Sequence, residues 1–113
     1  MNYNVVFYQT FDGHIPYKEY IQSLRDKKAK LAIMKRLQRV ALGNLGDHHS
    51  LSDGLHEIRI NYGPGYRIYY TWHGTTLIIL LLAGDKSTQS QDIPRAKIYV
   101  ADLKRRNYEY THS

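Results

Sequence analysis

The sequence predicts an α+β domain of order β-α-α-β-β-β-α: an antiparallel four-stranded sheet, a helical hairpin on one face and a C-terminal helix against the other. Three observations predict it. Between Leu55 and Asp92 three short strand-like segments follow one another, the first two joined by Gly63-Pro64-Gly65 and the second and third by His73-Gly74, which makes a meander. Two stretches ahead of the meander carry apolar residues at helical spacing, and one stretch behind it does the same. With 113 residues the chain suits one domain over 1–113, large enough to bury a core without staples.

In chain order, Asn2–Gln9 (NYNVVFYQ) is rich in β-branched and aromatic residues and reads as a strand, followed by a turn at Thr10–His14. Pro16 fits the first turn of a helix, and Tyr17, Tyr20, Ile21 and Leu24 continue it, so the first helix covers about Pro16–Arg25. Lys27–Leu42 is a second helix. Leu31, Ile33, Met34, Leu37, Val40 and Ala41 form its apolar stripe, Lys28, Lys35, Arg36 and Arg39 turn largely away from it, and Gly43 is its C-cap. Gly, Asp, Asn and Ser content makes Asn44–Gly54 a loop.

Strand side chains repeat with period two, so Leu55–Asn61 sends His56, Ile58 and Ile60 to one face and Glu57, Arg59 and Asn61 to the other. Tyr66–Trp72 divides in the same way, with Arg67, Tyr69 and Thr71 on the polar face. A hairpin symmetric about Gly63 sets Arg59 across from Arg67 and Glu57 across from Tyr69. Directly opposed like charges destabilise a strand pair. Two arginines there make sense if something negative meets them, either Glu57 or an outside phosphate. The plainer alternative is a solvated face on which Glu57 screens the pair.

Leu77–Leu82 is an unbroken apolar run and so a strand buried on both faces, the second cover coming from the segment that follows. Gly84-Asp85-Lys86-Ser87 is a loop at a strand end, where functional groups tend to be presented. Asp92–Arg106 is a third, amphipathic helix with Ile93, Ala96, Tyr99, Val100 and Leu103 on one side; Lys104, Arg105 and Arg106 complement the dipole at its end. The last residues, Asn107–Ser113, read as a frayed tail, flexible over 108–113.

Sixteen Lys and Arg against ten Asp and Glu give a net charge of +6, which points to a polyanion or an acidic partner. Eight of those cations fall between Lys18 and Arg39 against two carboxylates, either a solvated helix face or a surface that tracks phosphates without choosing sequence. There is no cysteine, hence no disulfide framework and no thiolate zinc site. The six histidines lack ligand spacing apart from His48-His49, so no metal site is expected. No signal peptide or membrane span is visible, which predicts a cytoplasmic protein with no membrane contact. Eleven tyrosines against two phenylalanines suit core and rim, and tyrosine also stacks on bases.

The run GLHEIRINYGPGYRIYY and then LLLAGDKSTQSQDIPRAK resembles the phage-derived, HigB-like addiction module killer branch of the RelE/ParE toxin superfamily. GPGYR and GDKSTQSQDI are its specific part, and the likeness extends from about Tyr8 to Leu103. The resemblance implies a RelE-like fold in the order given above. It implies the toxin of a type II toxin–antitoxin pair, a small ribonuclease cutting messenger RNA, commonly on the ribosome. It also implies a cognate antitoxin, often a HigA-like helix-turn-helix protein. RelE-like relatives act on the scissile phosphate with a basic residue on the first meander strand, an arginine on the second, a basic residue after the last strand and a tyrosine near the final helix. Arg59, Arg67 and Lys86 stand at the first three positions; at the fourth this chain has Asp92.

Metal-independent RNA cleavage must deprotonate the 2′-OH, neutralise charge on the phosphorane and protonate the leaving 5′-oxygen. No cofactor is required. Arg67, Arg59 and Lys86 meet the second need, since guanidinium and ammonium stabilise phosphate oxygens. For proton transfer the candidates are Glu57, Asp92, Asp85 and Tyr69, and Glu57 can equally serve as a counter-ion alone. Lys28, Lys35, Arg36 and Arg39 are the expected RNA-binding residues of the helical hairpin. Two other classes fit the same sequence: a ParE-like inhibitor of gyrase without nuclease activity, and a nucleic-acid-binding module whose arginines hold phosphate and do nothing further.

Overall fold

The computed structural model describes residues 2–112, with side chains as far as Arg106. Its strands are β1 (Asn4–Phe7), β2 (His48–Ser50), β3 (His56–Ile60), β4 (Tyr66–His73) and β5 (Leu77–Asp85). The helices are α1 (Pro16–Ser23), α2 (Lys27–Ala41) and α3 (Gln89–His112), the last entered through a 3-10 turn at Lys86–Thr88. The expected tail falls on residues whose side chains lie outside the described ones.

The strands form one sheet in the order β1-β5-β4-β3-β2. It differs from the four-stranded antiparallel sheet of the sequence reading in two respects. β1 runs parallel to β5, pairing Asn4 with Leu77 and Phe7 with Leu80. The long apolar β5 needs a neighbour on each edge. The chain from β1 crosses through both hairpin helices before the meander begins, and nothing in the residues of β1 encodes the direction in which it then lies. The second difference is β2, which falls inside the expected loop and pairs antiparallel with β3, His49 opposite Glu57.

The antiparallel β3–β4 ladder has the expected register, Arg59 opposite Arg67 and Glu57 opposite Tyr69. β4 and β5 pair antiparallel with one irregularity: Tyr69 meets Leu82 and Tyr70 meets Leu80, so Leu81 is a bulge residue with no partner of its own.

Two apolar layers enclose the sheet. Ile58, Ile60, Ile68, Tyr70, Ile78, Leu80 and Ala83 pack with Tyr17, Ala29, Ile33 and Val40 of the helical hairpin. On the other face Tyr69, Leu81 and Leu82 pack with Tyr8, Leu55, Ala96 and Val100, the last two from α3. The apolar run of β5 is thus covered on both sides. The polar face of the meander lies under α3, and so it is not a solvated surface.

Local sequence explains the helix ends. α1 stops at Ser23 because Leu24 turns extended and Asp26 opens the next helix, its carboxylate accepting the N–H groups of Lys28 and Ala29 at 2.9 and 3.2 Å. α3 starts three residues before the expected Asp92. The Asp85 carboxylate accepts the Ser87 N–H at 2.8 Å and caps the 3-10 turn that runs on into the helix, leaving Pro94 inside it.

Candidate functional site

The opposed arginines meet over one buried carboxylate. Glu57 is fully buried; its Oε1 accepts Arg59 Nε at 2.5 Å and Arg67 Nη1 at 2.9 Å, and its Oε2 accepts Gln89 Nε2 from the start of α3 at 3.2 Å. The two cations diverge in exposure: the Arg59 side chain keeps 41% of its surface, Arg67 only 11%. The hydrogen bond to Glu57 is the main reason the Arg59 guanidinium holds its proton above the ordinary range. Two polar atoms buried in this cluster, Arg67 Nε and the Tyr69 hydroxyl, have no protein partner.

Asp92 closes the site from above. Gly84 lies directly opposite Arg67 across the β4–β5 ladder, and the buried Asp92 carboxylate occupies the space a Cβ at position 84 would need. The Thr88 hydroxyl donates to Asp92 Oδ2 at 2.5 Å. Burial pushes the Tyr69 phenol well above its ordinary value, Glu57 and Asp92 add to that, and Arg67 and Arg59 oppose it, so Tyr69 stays protonated.

Lys86 sits at the rim. Its N–H donates to the Gly65 carbonyl at 2.9 Å, extending the ladder by one step, so the side chain falls on the face that carries Gly84 and Arg67. The side chain is exposed and makes no ion pair among the described residues. Asp85 is committed to capping, since its Oδ1 accepts both the N–H and the hydroxyl of Ser87.

Of the residues singled out in the sequence, Arg59, Arg67, Glu57, Tyr69 and Asp92 therefore come together, with Lys86 at the edge. Lys28, Lys35 and Arg39 are exposed on α2, which packs on the opposite face of the sheet. Arg36 does not turn away from the core as expected. It is buried and donates to the carbonyls of Arg59, Leu45 and Asp47 at 3.0, 2.9 and 3.1 Å, tying the loop ahead of β2 to α2. The physical reason is helical phase: the buried residues of α2 are Ala29, Ile33, Arg36 and Val40, steps of four, three and four. Reading Ala29 into the stripe in place of the half-exposed Leu31 and Met34 was the signal that would have found it.

Gln89 and Thr88 belong to the site without standing among the candidates, and Gly84, expected in a loop at the strand end, lies within β5 and belongs to it too. The polar cluster Ser-Thr-Gln-Ser-Gln between Lys86 and Asp92 was the one available pointer. Among the described residues, no group of three or more His, Cys, Asp or Glu side chains could hold a metal ion, and no helix is long and apolar enough to cross a membrane.

Fold and site together define a small basic α+β domain whose cationic cluster is assembled on an internal carboxylate between a meander and a C-terminal helix. The chain belongs to the family described as "Phage derived protein Gp49-like (DUF891)", whose model matches residues 19–106 and so includes every residue of the cluster. It is also similar to an uncharacterized protein of Haemophilus influenzae strain Rd, 40% identical over 89 residues that cover 79% of this chain and 90% of that relative.

Proposed function

We propose that this protein is the toxin of a type II toxin–antitoxin pair and an endoribonuclease of RelE-like and HigB-like type that cuts messenger RNA, associated with the ribosome, to arrest translation in the cytoplasm. The observation that carries the reading is the pair of arginines on one buried carboxylate with a buried aspartate and an unpaired lysine beside them. Membership of a phage-derived family and the net charge of +6 support it.

The geometry supports a division of roles. Glu57 accepts three hydrogen bonds and fixes the arginines, which makes it a positioning residue and leaves its lone pairs little room for a substrate proton. Asp85 is spent on its cap, and the Tyr69 phenol is protonated and enclosed. Asp92 is then the carboxylate suited to take the 2′-OH proton, and the 5′-oxygen leaves with a proton supplied by solvent water. Arg67, Arg59 and Lys86 stabilise the charge that builds on the phosphorane, where fixed donors contribute most. No metal or cofactor is assigned a step. Lys28, Lys35 and Arg39 hold flanking RNA or ribosomal phosphates without choosing sequence. A HigA-like helix-turn-helix antitoxin with an acidic surface silences the toxin, and electrostatic complementarity speeds its arrival.

The test is growth arrest together with primer extension on messenger RNA after a short pulse of expression, beside an assay for gyrase-linked DNA breaks. Discrete RNA cuts without DNA breaks are expected. Arg67→Ala loses roughly a hundredfold or more in cleavage rate while staying folded by circular dichroism, the scale of one lost transition-state donor. Lys86→Ala falls in the same direction by less. DNA breaks without RNA cuts would give the protein to the gyrase inhibitors, and a folded Arg67→Ala protein cutting at the parental rate would remove the site assignment.

A further inference from the structure

We propose that Thr88 is the positioning residue for Asp92, the last link of a fixed chain from the Asp85 peptide through the Thr88 hydroxyl to the Asp92 carboxylate. The inference rests on the reading of Asp92 as the base.

Three contacts meet at Thr88 Oγ1: the Asp85 N–H at 3.2 Å, the Asp85 carbonyl at 3.2 Å and Asp92 Oδ2 at 2.5 Å. A threonine hydroxyl has one proton to give and two lone pairs to accept with. The peptide N–H can only donate, so Oγ1 accepts there. The single hydroxyl proton then goes to the nearer and charged acceptor, the Asp92 carboxylate, because charge-assisted hydrogen bonds are the shorter and stronger ones. The upstream N–H polarises the hydroxyl that it binds and strengthens the donation.

The glycine beneath confirms that this placement is built in. Gly84 is absent from the positive-φ glycines and needs no special backbone conformation. What it supplies is room: a Cβ there would collide with both the Asp92 carboxylate and Thr88 Oγ1. Space below, a donor at the side and the turn capped by Asp85 hold one carboxylate over the residue opposite Arg67. A single fixed donor at Oδ2 orients the carboxylate, which is what a base acting on one substrate proton needs.

The experiment is single-turnover cleavage of messenger RNA on programmed ribosomes, read as the rate at saturation and the toxin concentration that half-saturates it. It compares the parent with Thr88→Val, Thr88→Ser and Ser90→Ala, each checked for folding by circular dichroism. With the donor gone, Thr88→Val should lose about tenfold in the saturating rate, part of the roughly hundredfold or more that a positioned base contributes, with the half-saturating concentration unchanged. Thr88→Ser, which keeps the hydroxyl, should restore the parental rate, and Ser90→Ala, at an exposed neighbouring hydroxyl, should leave it unchanged. A Thr88→Val saturating rate equal to the parent's would overturn the inference. So would a loss that serine fails to repair, because that is the mark of a merely structural role. Absence of cleavage by the parent is a different result: it takes down the nuclease reading itself, and this inference with it.

Discussion

Removing the charge of Glu57 tests the architecture of the cationic cluster independently of any activity. Glu57→Gln keeps the shape of the side chain but leaves Arg67 buried without its counter-charge, directly opposite another arginine. Breaking a buried ion pair on one side costs about 3–5 kcal/mol, against a total stability of about 5–15 kcal/mol for a domain of this kind. The exposed Arg59 can turn to water, so the cost comes from Arg67. Urea unfolding at neutral pH followed by circular dichroism should therefore show a loss of about a fifth or more of the parental stability. The variant has one further expected property. Inorganic phosphate, seated where the carboxylate charge was, should recover stability in a saturable way, following the mass action of any ligand that binds only the folded state. The parent, in which Glu57 already offsets one of the two arginine charges, should respond less. A loss below about 1 kcal/mol, or identical phosphate responses in parent and variant, would refute the view that Glu57 holds the arginines together.

Arg36→Ala should cost about 2–3 kcal/mol, because the loop carbonyls lose a shared buried donor, measured by the same unfolding assay. Gly46→Ala should act through the same clamp: position 46 has φ +62°, and a Cβ there would run into the Arg36 guanidinium. The two changes should thus be strongly non-additive in a double-mutant cycle. Asp102 supplies a pH signature. Burial is the largest influence on its carboxyl and raises it, but hydrogen bonds from Arg106, Tyr8 and Arg105 together outweigh burial and hold it well below the usual range. Its stabilisation is therefore present above the ordinary carboxylate value near about 4 and fades as the pH falls further. Asp102→Asn should be less stable than the parent at pH 7, with the gap narrowing in acid. For the exposed helical cations, Lys35→Glu and Arg39→Glu should weaken RNA binding and flatten its salt dependence, each by roughly one counterion's worth of slope.

The meander was legible because every signal in it agreed. Alternation sorted Glu57 and Arg59 from Ile58 and Ile60, and the Gly63-Pro64-Gly65 turn fixed the register, which together brought Arg59 opposite Arg67. Contacts between elements were not legible. The direction of β1 depends on how the helical hairpin crosses the sheet, and the three-residue β2 follows a loop that Arg36 of α2 ties to β3. Arg36 was misread because composition speaks for exposure and only helical phase speaks for burial. At the site, the charged residues could be found from sequence, whereas Gly84 and Thr88 could not, since their roles come from shape and from one hydroxyl proton.

The unpaired Leu81 has a consequence for how the protein tolerates change in length. Before it, the odd residues of β5 lie toward α3, Ile79 among them; after it, the even ones do, so Leu82, Gly84 and Lys86 inherit the α3 side. One residue is therefore counted twice on the same side, and the strand holds slack at that point. A chain shorter by Leu81 would still pair Leu80 with Tyr70 and Leu82 with Tyr69, losing the burial of one leucine but no register. A chain shorter by Ala83 could take up the slack by drawing Leu81 into the ladder. Either loss leaves Gly84 beneath Asp92 and Lys86 on the side of the arginines. The bulge thus uncouples the length of the core strand from the face on which the reactive end emerges.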